Sequence, residues 1–271
     1  MFMENYISVL MGVYYTNSDT TLLERSVRSM LSQTMTNIEV LLCDDGSSPE
    51  AQSFLKKLSE SDPRLKLIRR EGVYSLPEKL NACLAASRGA LIARMDDDDF
   101  SYPQRLQRQA EYLQTHPEIS FVGCNAALYR NGIQIGIRKF PSHPTIRDFY
   151  FTQPYLHPSL MFRREALLAV SGYSEKKSCR LCEDYDLLLR LYEAGFRGAN
   201  LEDVLLDYSV PATAKGNRRM SHRWNEAVTR YRHFRTLHLL PAAFPWVVKP
   251  LVVGILPEKL LFRLKYKNGT E

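Results

Sequence analysis

The chain is poor in glycine and carries none of the glycine loops that cradle phosphates. It has 13 glycines in 271 residues. No GxGxxG follows the first apolar run, and no GxxxxGK followed by Ser or Thr occurs, so a dinucleotide-binding turn and a P-loop both lack their backbone. Cysteine is scarce and odd in number, at five. Cys43, Cys83 and Cys124 lie inside apolar runs and read as buried free thiols. Cys179 and Cys182 form one CxxC without a second pair or a pair of histidines, which leaves a zinc site or redox centre without its partners. This usage fits a reducing compartment, and the first residues show no signal-peptide pattern. Long apolar runs are also missing. The best candidate, residues 241–256, is broken by three prolines and Lys249, which argues against a membrane-spanning helix.

The net charge of +6 combines two unlike parts. Residues 215–271 hold twelve Lys or Arg against three Glu, a balance of +9. That leaves 24 against 27, or −3, for residues 1–214. The basic excess is confined to the tail. Because the tail also holds Phe244, Trp246 and an apolar run, it reads as an interfacial segment suited to an anionic membrane surface, with an apolar strap on the body as the bland alternative. It shows no nucleic-acid motif, and no nucleic acid is expected as a partner.

The most informative stretch is Ala93-Arg94-Met95-Asp96-Asp97-Asp98-Asp99-Phe100. Four consecutive carboxylates follow an apolar run, Ala90-Leu91-Ile92-Ala93, that reads as a buried strand. Adjacent carboxylates repel, and a cation among them relieves the repulsion. The alternative is a solvated acidic turn capping the next helix. Strands are predicted near 7–14, 38–43, 65–68 and 90–93. Between them, helices are predicted from a Thr21/Glu24 capping box, from Ser48-Pro49 and over 76–87, the last stopped by Gly89. Four strands alternating with helices indicate a parallel α/β sheet, and the acids then sit at its carboxyl edge, where such sheets bind ligands. Further on, Pro103 is read as a helix start, 119–123 and 159–162 as strands, and Asn131-Gly132 as a hairpin turn. A helix over 183–194 stops at Gly195.

Five motifs in order resemble family 2 glycosyltransferases of the GT-A fold, covering roughly residues 5–210: Cys43-Asp44-Asp45-Gly46-Ser47; Ala93 to Asp99; His157-Pro158-Ser159-Leu160-Met161-Phe162-Arg163; Ser171-Gly172-Tyr173; and Glu183-Asp184-Tyr185-Asp186-Leu187-Leu188-Leu189-Arg190. The resemblance implies a GT-A catalytic domain over 1–212, with a mainly parallel mixed sheet flanked by helices, and a helical appendage over 213–271. It also implies an inverting, metal-dependent transfer of one sugar from a nucleotide sugar, a UDP-sugar first. The acceptor would be a glycan or lipid-linked glycan in bacterial lipopolysaccharide, O-antigen or capsule synthesis. Such an enzyme would be cytoplasmic or peripheral on the inner membrane face.

By the same resemblance, Asp44 or Asp45 meets the uracil, with Tyr14 and Asp96 among the nucleotide contacts; either acid could instead cap its own turn. Asp96 and Asp98 are the DxD pair, and Asp98 ligates Mn²⁺ or Mg²⁺; Asp97 ranks last. Asp184 is the catalytic base and Glu183 orients the acceptor, against a reading as acids placed by the helix dipole. His157, Asp99 and Arg190 are acceptor or phosphate candidates, although Arg190 could equally pair with a surface acid. Two departures stand out. Family members often carry Tyr-Arg-x-His after the last strand, where this chain has Asp207-Tyr208-Ser209-Val210-Pro211, so His222 is a candidate substitute. Arg223-Trp224 lacks the Gln of the processive synthase motif, Met220 standing in its place. A nucleotidyltransferase, or a non-catalytic binding protein on the same scaffold, remains the rival.

Overall fold

The computed structural model of the protein describes residues 3–16, 19–72, 75–210 and 220–257. The first half alternates as its periodicity predicts: β1 (Met3–Val13), α1 (Thr21–Leu31), β2 (Ile38–Asp44), α2 (Pro49–Ser61), β3 (Leu65–Arg69), α3 (Leu76–Ala86) and β4 (Gly89–Arg94). β1 pairs in parallel with both β2 and β4, and β2 in parallel with β3. The second half mixes directions: β5 (Phe100–Ser101), α4 (Arg105–Thr115), β6 (Phe121–Arg130), β7 (Ile133–Arg138), β8 (Met161–Arg163), α5 (Arg164–Ala169), α6 (Glu183–Glu193) and β9 (Gly198–Ser209). Among the described residues these strands form one sheet in the order β3-β2-β1-β4-β8-β6-β9-β5, with β7 on β6. α7 (Met220–Thr236) and α8 (Phe244–Ile255) follow the sheet.

Strand alternation builds two core layers. Val9, Met11 and Val13 of β1 face Leu23, Val27 and Met30 of α1, with Leu55 of α2 and Leu106 of α4. Leu10 and Leu41 face the other way, toward Leu80 and Cys83 of α3 and Leu187, Leu188 and Leu191 of α6. Phe234 of α7 joins that second layer. Apolar burial on both faces is why these strands read as nearly continuous apolar runs.

Several local expectations are corrected. α1 has no capping box: Thr20 is its N-cap without a side-chain bond, and Asp19 Oδ1 accepts from Thr21 N at 3.2 Å. Glu24 turns instead to Arg28 one helical turn on, a charge-assisted bond stronger than one to a neutral amide. α4 starts at Arg105 rather than Pro103, after a turn closed by Arg105 N donating to Tyr102 O at 3.0 Å. Gly89 opens β4 and does not stop α3. The strand expected over 119–123 starts at Phe121 and runs on to Arg130, with a bulge against β7 at Leu128/Tyr129. Residues 157–159 form a 3-10 turn whose second residue, Pro158, has no amide to donate, and the strand after it is only Met161–Arg163. Two other local expectations hold, while the boundary expected at 212/213 lies outside the described residues. Ser48 caps α2 through Ala51 N, and the hairpin turn has φ of 51° at Asn131 and 77° at Gly132.

Candidate active site

The site lies where the sheet changes winding direction. From β1 the chain moves outward to β2 and β3, then returns to β4 on the other side of β1. The carboxyl ends of β1, β2 and β4 therefore border one crevice, the place where open α/β sheets take ligands. Into it run Tyr14 after β1, Asp44 and Asp45 from β2, and Asp96 to Asp99 after β4.

The acidic turn is pinned from both sides. Ser26 of α1 donates to Asp96 O at 2.7 Å. Ser209 at the end of β9 donates from Oγ to Asp98 O at 2.6 Å and from its amide to Asp99 Oδ1 at 2.8 Å. Buried Arg94 pairs with Asp96 and so offsets one of the four charges. Among the described residues, the ligand oxygens of Asp96, Asp98 and Asp99 form the one group of acids with metal-holding geometry, all within 4.8 Å of one another. Asp99 Oδ2 is buried without a hydrogen-bond partner. Burial, then the charge of Asp96, pushes Asp98 up to about 6 and Asp99 well above the carboxylate range. Three carboxylates, one of them with an unbonded oxygen, suit a hard divalent cation, whose charge would reverse those shifts. Asp97 lies outside the group, and burial with its neighbours' charges raises it to about 7.

At the β1–β2 end, Asp44 Oδ1 accepts from the Ser47 amide at 3.1 Å and from its hydroxyl at 2.5 Å, so it shapes its own turn. Asp45, 2 % exposed, pairs with Lys79 of α3 at 3.0 Å. Burial raises the Asp45 pKa, and Lys79 pulls against that shift. Lys79 also donates to Val13 O at 3.1 Å, and its ammonium lies 5.8 Å from the centre of the exposed Tyr14 ring. Tyr14, Asp45 and Lys79 thus form one cluster.

The opposite wall is a cleft of about 480 Å³ whose lining includes Asp96, Arg138, His157, Glu183, Asp184, Tyr208, Glu226 and Arg230. Glu183 and Asp184 open α6, where the partial positive charge of the helix favours acids, and Asp184 Oδ1 accepts the Tyr185 amide at 2.8 Å. α6 is held from behind. Asp186 takes Arg190 Nε at 2.7 Å, His233 Nε2 at 3.1 Å and an Arg232 nitrogen, while His233 Nδ1 meets Glu193 at 2.8 Å.

The structure therefore brings Asp96, Asp98 and Asp99 together, and sets Asp96, His157, Glu183 and Asp184 in one cleft. His157 Nε2 shares a 2.9 Å hydrogen bond with the Tyr173 hydroxyl. Burial, then Arg94, holds His157 far below its usual pKa, so it stays neutral at pH 7. Arg190 is not brought in: it is tied to Asp186 and to the Val170 carbonyl behind α6. His222, on the first turn of α7, is not part of the acidic group. Pro211 and the rest of 211–219 lie outside the described residues. Four contributors went unread in the sequence: Lys79, Arg138 and the α7 residues Glu226 and Arg230. Lys79 left a signal, since it sits one turn before Cys83 on the buried face of α3.

Residues 8–169 match the family described as Glycosyl transferase family 2. The chain is 33% identical over 263 residues to the putative glycosyltransferase EpsE of Bacillus subtilis (strain 168), covering 97% of this chain and 94% of that protein. It is 32% identical over 209 residues to the O-antigen biosynthesis glycosyltransferase WbnJ of Escherichia coli, covering 75% and 79%. Among solved structures, S. aureus TarS in complex with UDP-GlcNAc aligns with a TM-score of 0.70 at 16% identity, over 97% of this chain and 76% of that one. The mannosyltransferase PcManGT from Pyrobaculum calidifontis, in complex with GDP-Man and Mn²⁺, aligns at 0.60 and 19% identity, over 96% and 79%. The fold is GT-A, and the chain is an enzyme that belongs to glycosyl transferase family 2.

Proposed function

We propose that the protein is an inverting, metal-dependent transferase that moves one sugar from a UDP-sugar to a glycan or lipid-linked glycan acceptor in bacterial polysaccharide synthesis. The observation that carries this reading is the opposition of two acidic elements across one crevice: the 96–99 turn with its unbonded Asp99 oxygen, and the Glu183-Asp184 pair opening α6. The names of WbnJ and of the amylovoran glycosyltransferase AmsE from Erwinia amylovora support the pathway class. The TarS and PcManGT complexes support a nucleotide-sugar donor and a divalent cation.

In this mechanism Asp45, Lys79 and Tyr14 receive the nucleobase end of the donor, with Asp44 shaping the turn beneath it. Asp98, Asp99 and Asp96 would hold Mn²⁺ or Mg²⁺, which supplies the positive charge that a departing nucleoside diphosphate needs. Asp184 accepts the proton of the acceptor hydroxyl as its oxygen attacks the anomeric carbon, and Glu183 orients that hydroxyl. One displacement inverts the configuration and needs no covalent intermediate. The neutral His157–Tyr173 pair gives the cleft floor a fixed hydrogen-bonding edge.

Water as a slow surrogate acceptor tests this reading without knowledge of the natural one. With UDP-sugars and Mn²⁺, the expected result is UDP release and an α-linked donor sugar appearing first as its β-anomer in proton NMR. Failure to release nucleotide from any UDP-, GDP-, CDP- or dTDP-sugar, or first appearance of the α-anomer, would refute it.

Peripheral membrane attachment belongs to the same proposal. Among the described residues no helix is long and apolar enough to cross a membrane. Yet Trp224, Val228 and Tyr231 of α7 and Val252 and Ile255 of α8 are exposed apolar side chains. With the exposed Arg235 at the end of α7, they combine apolar and basic side chains as an interfacial helix does. Changing Trp224, Val252 and Ile255 together to Ser should abolish co-flotation with anionic liposomes; undiminished flotation would remove the attachment.

A further inference from the structure

The cleft holds two guanidinium groups in opposite situations. Arg230 is buried and fully engaged: it donates to the carbonyls of Phe149 and Tyr150, pairs with Glu226 at 3.1 Å, and lies 4.6 Å over the Tyr185 ring. Arg138 makes no hydrogen bond or ion pair with any described residue. Its guanidinium is 4.9 Å from the centre of the Phe140 ring, and its backbone is fixed opposite Ala126 in the β6–β7 ladder. A half-buried arginine without a hydrogen bond or ion pair among the described residues keeps its planar fork of donors available, a shape that matches carboxylate and phosphate oxygens two at a time.

Its neighbours place this cation at the acceptor end of the cleft. Arg138 lines the cleft together with the Tyr208 phenol and the Asp184 carboxylate, and of these two groups Asp184 carries the charge. Buried Arg94 pairs with Asp96 and feels the charges of Asp97 and Asp99, so the 96–99 turn already has its own buried cation. A bare cation beside Asp184 would also weaken that carboxylate as a proton acceptor. A substrate anion covering the guanidinium would remove this handicap as the reacting hydroxyl arrives.

We propose that Arg138 is a specificity residue for the acceptor, which is a glycan bearing an anionic group, carboxylate or phosphate, near the hydroxyl that is glycosylated. The inference rests on the transferase reading of the same cleft and adds the substrate class that the reading leaves open.

The test uses the full-length protein saturated with UDP and Mg²⁺, probed by ligand-observed NMR with methyl β-D-glucuronide, glucose 6-phosphate and the neutral methyl β-D-glucoside. The glucuronide, the phosphate or both should bind about ten-fold tighter than the glucoside, as expected for a charge-assisted pair. Which of the two anions is preferred identifies the group. The preference should vanish in Arg138→Gln and survive, reduced, in Arg138→Lys, with UDP affinity equal in all three proteins. Because Arg138 makes no hydrogen bond or ion pair among the described residues, the variants should melt close to wild type. No preference for either anion, including no binding of any probe, overturns the proposal, as does a preference unchanged in Arg138→Gln. Weaker UDP binding in Arg138→Gln also overturns it, because the guanidinium would then serve the donor diphosphate. Wild-type protein that binds no nucleotide is a different failure: it removes the transferase reading, and this inference with it.

Discussion

Lys79→Met isolates what one buried cation does for the nucleotide end of the site. The substitution keeps an unbranched side chain of similar length but removes the ammonium that sits 3.0 Å from Asp45 and 3.1 Å from the Val13 carbonyl. Both side chains are more than nine-tenths buried, so solvent cannot take over the lost role. Breaking a buried pair by deleting one partner typically costs ~3–5 kcal/mol. Here protonation sets a ceiling. Once Asp45 finds it cheaper to bind a proton, the penalty at pH 7 stops near 1.4 kcal/mol for each of about three pH units above an ordinary aspartate pKa, or about 4 kcal/mol. The variant should therefore lose about 2–4 kcal/mol at pH 7, measured by urea denaturation. The sign with pH follows from the same argument. With the Asp45 pKa raised in the folded state, the penalty grows above the unfolded pKa of about 4 and shrinks as pH falls toward it, so at pH 4.5 most of it should be gone. Adding Asp45→Asn to Lys79→Met should recover much of the pH 7 loss, because no buried charge is then left unpartnered. A loss below about 1 kcal/mol at pH 7, or one of equal size at pH 4.5, would refute the reasoning.

Three further outcomes follow from the geometry. Asp184→Asn should lower turnover by roughly 10²–10⁴-fold while UDP affinity stays unchanged, since it removes a base and no donor contact; an equal loss in UDP binding would contradict that role. In the Asp186 network, burial would raise the aspartate, yet its bonds to His233 and Arg190 hold it well below the carboxylate range; burial would lower His233, yet Asp186 and Glu193 raise it. The contribution of Asp186 is thus present above an unfolded pKa of about 4, and that of His233 is full below about 6.5 and lost as pH rises through its raised value. The melting-temperature advantage of wild type over His233→Gln should accordingly shrink from pH 6 to 8.5, and a constant advantage would contradict this. Gly198→Ala should lower Tm by roughly 3–10 °C, because a Cβ there would sit 2.2 Å from the buried Phe121 ring and overpack the core by about 1–3 kcal/mol; an unchanged Tm would show that the ring can yield.

The parallel half of the fold was legible because its information is local. Each strand is an apolar run, each helix has its own period, and the acids directly follow β4. The hairpin was legible for the same reason, since Asn131-Gly132 favours positive φ at two successive positions. Local competition misled the capping prediction for α1, because Glu24 has an arginine one turn away and prefers it. The site residues that escaped reading depend on contacts across long sequence separations. Lys79 is useful because β2 delivers Asp45 to it, Arg138 because the end of β7 lines the same cleft as Asp184, and Arg230 because α7 folds back over the 149–150 turn. The basic tail was read as a surface feature, yet its arginines at 230 and 232 and its buried His233 secure α6, the helix that carries Glu183 and Asp184.

The most direct test of the central claim is calorimetric titration of UDP into wild-type protein and Asp98→Asn, each with and without Mn²⁺. Removing a charge that Asp96 repels should leave the metal-free variant melting no lower than wild type, so folding does not confound the comparison. The account predicts saturable UDP binding that requires Mn²⁺ in wild type and falls by about ten-fold or more in Asp98→Asn, the loss of one charged oxygen ligand. UDP binding that is indifferent to the metal, or equally tight in the variant, would contradict it.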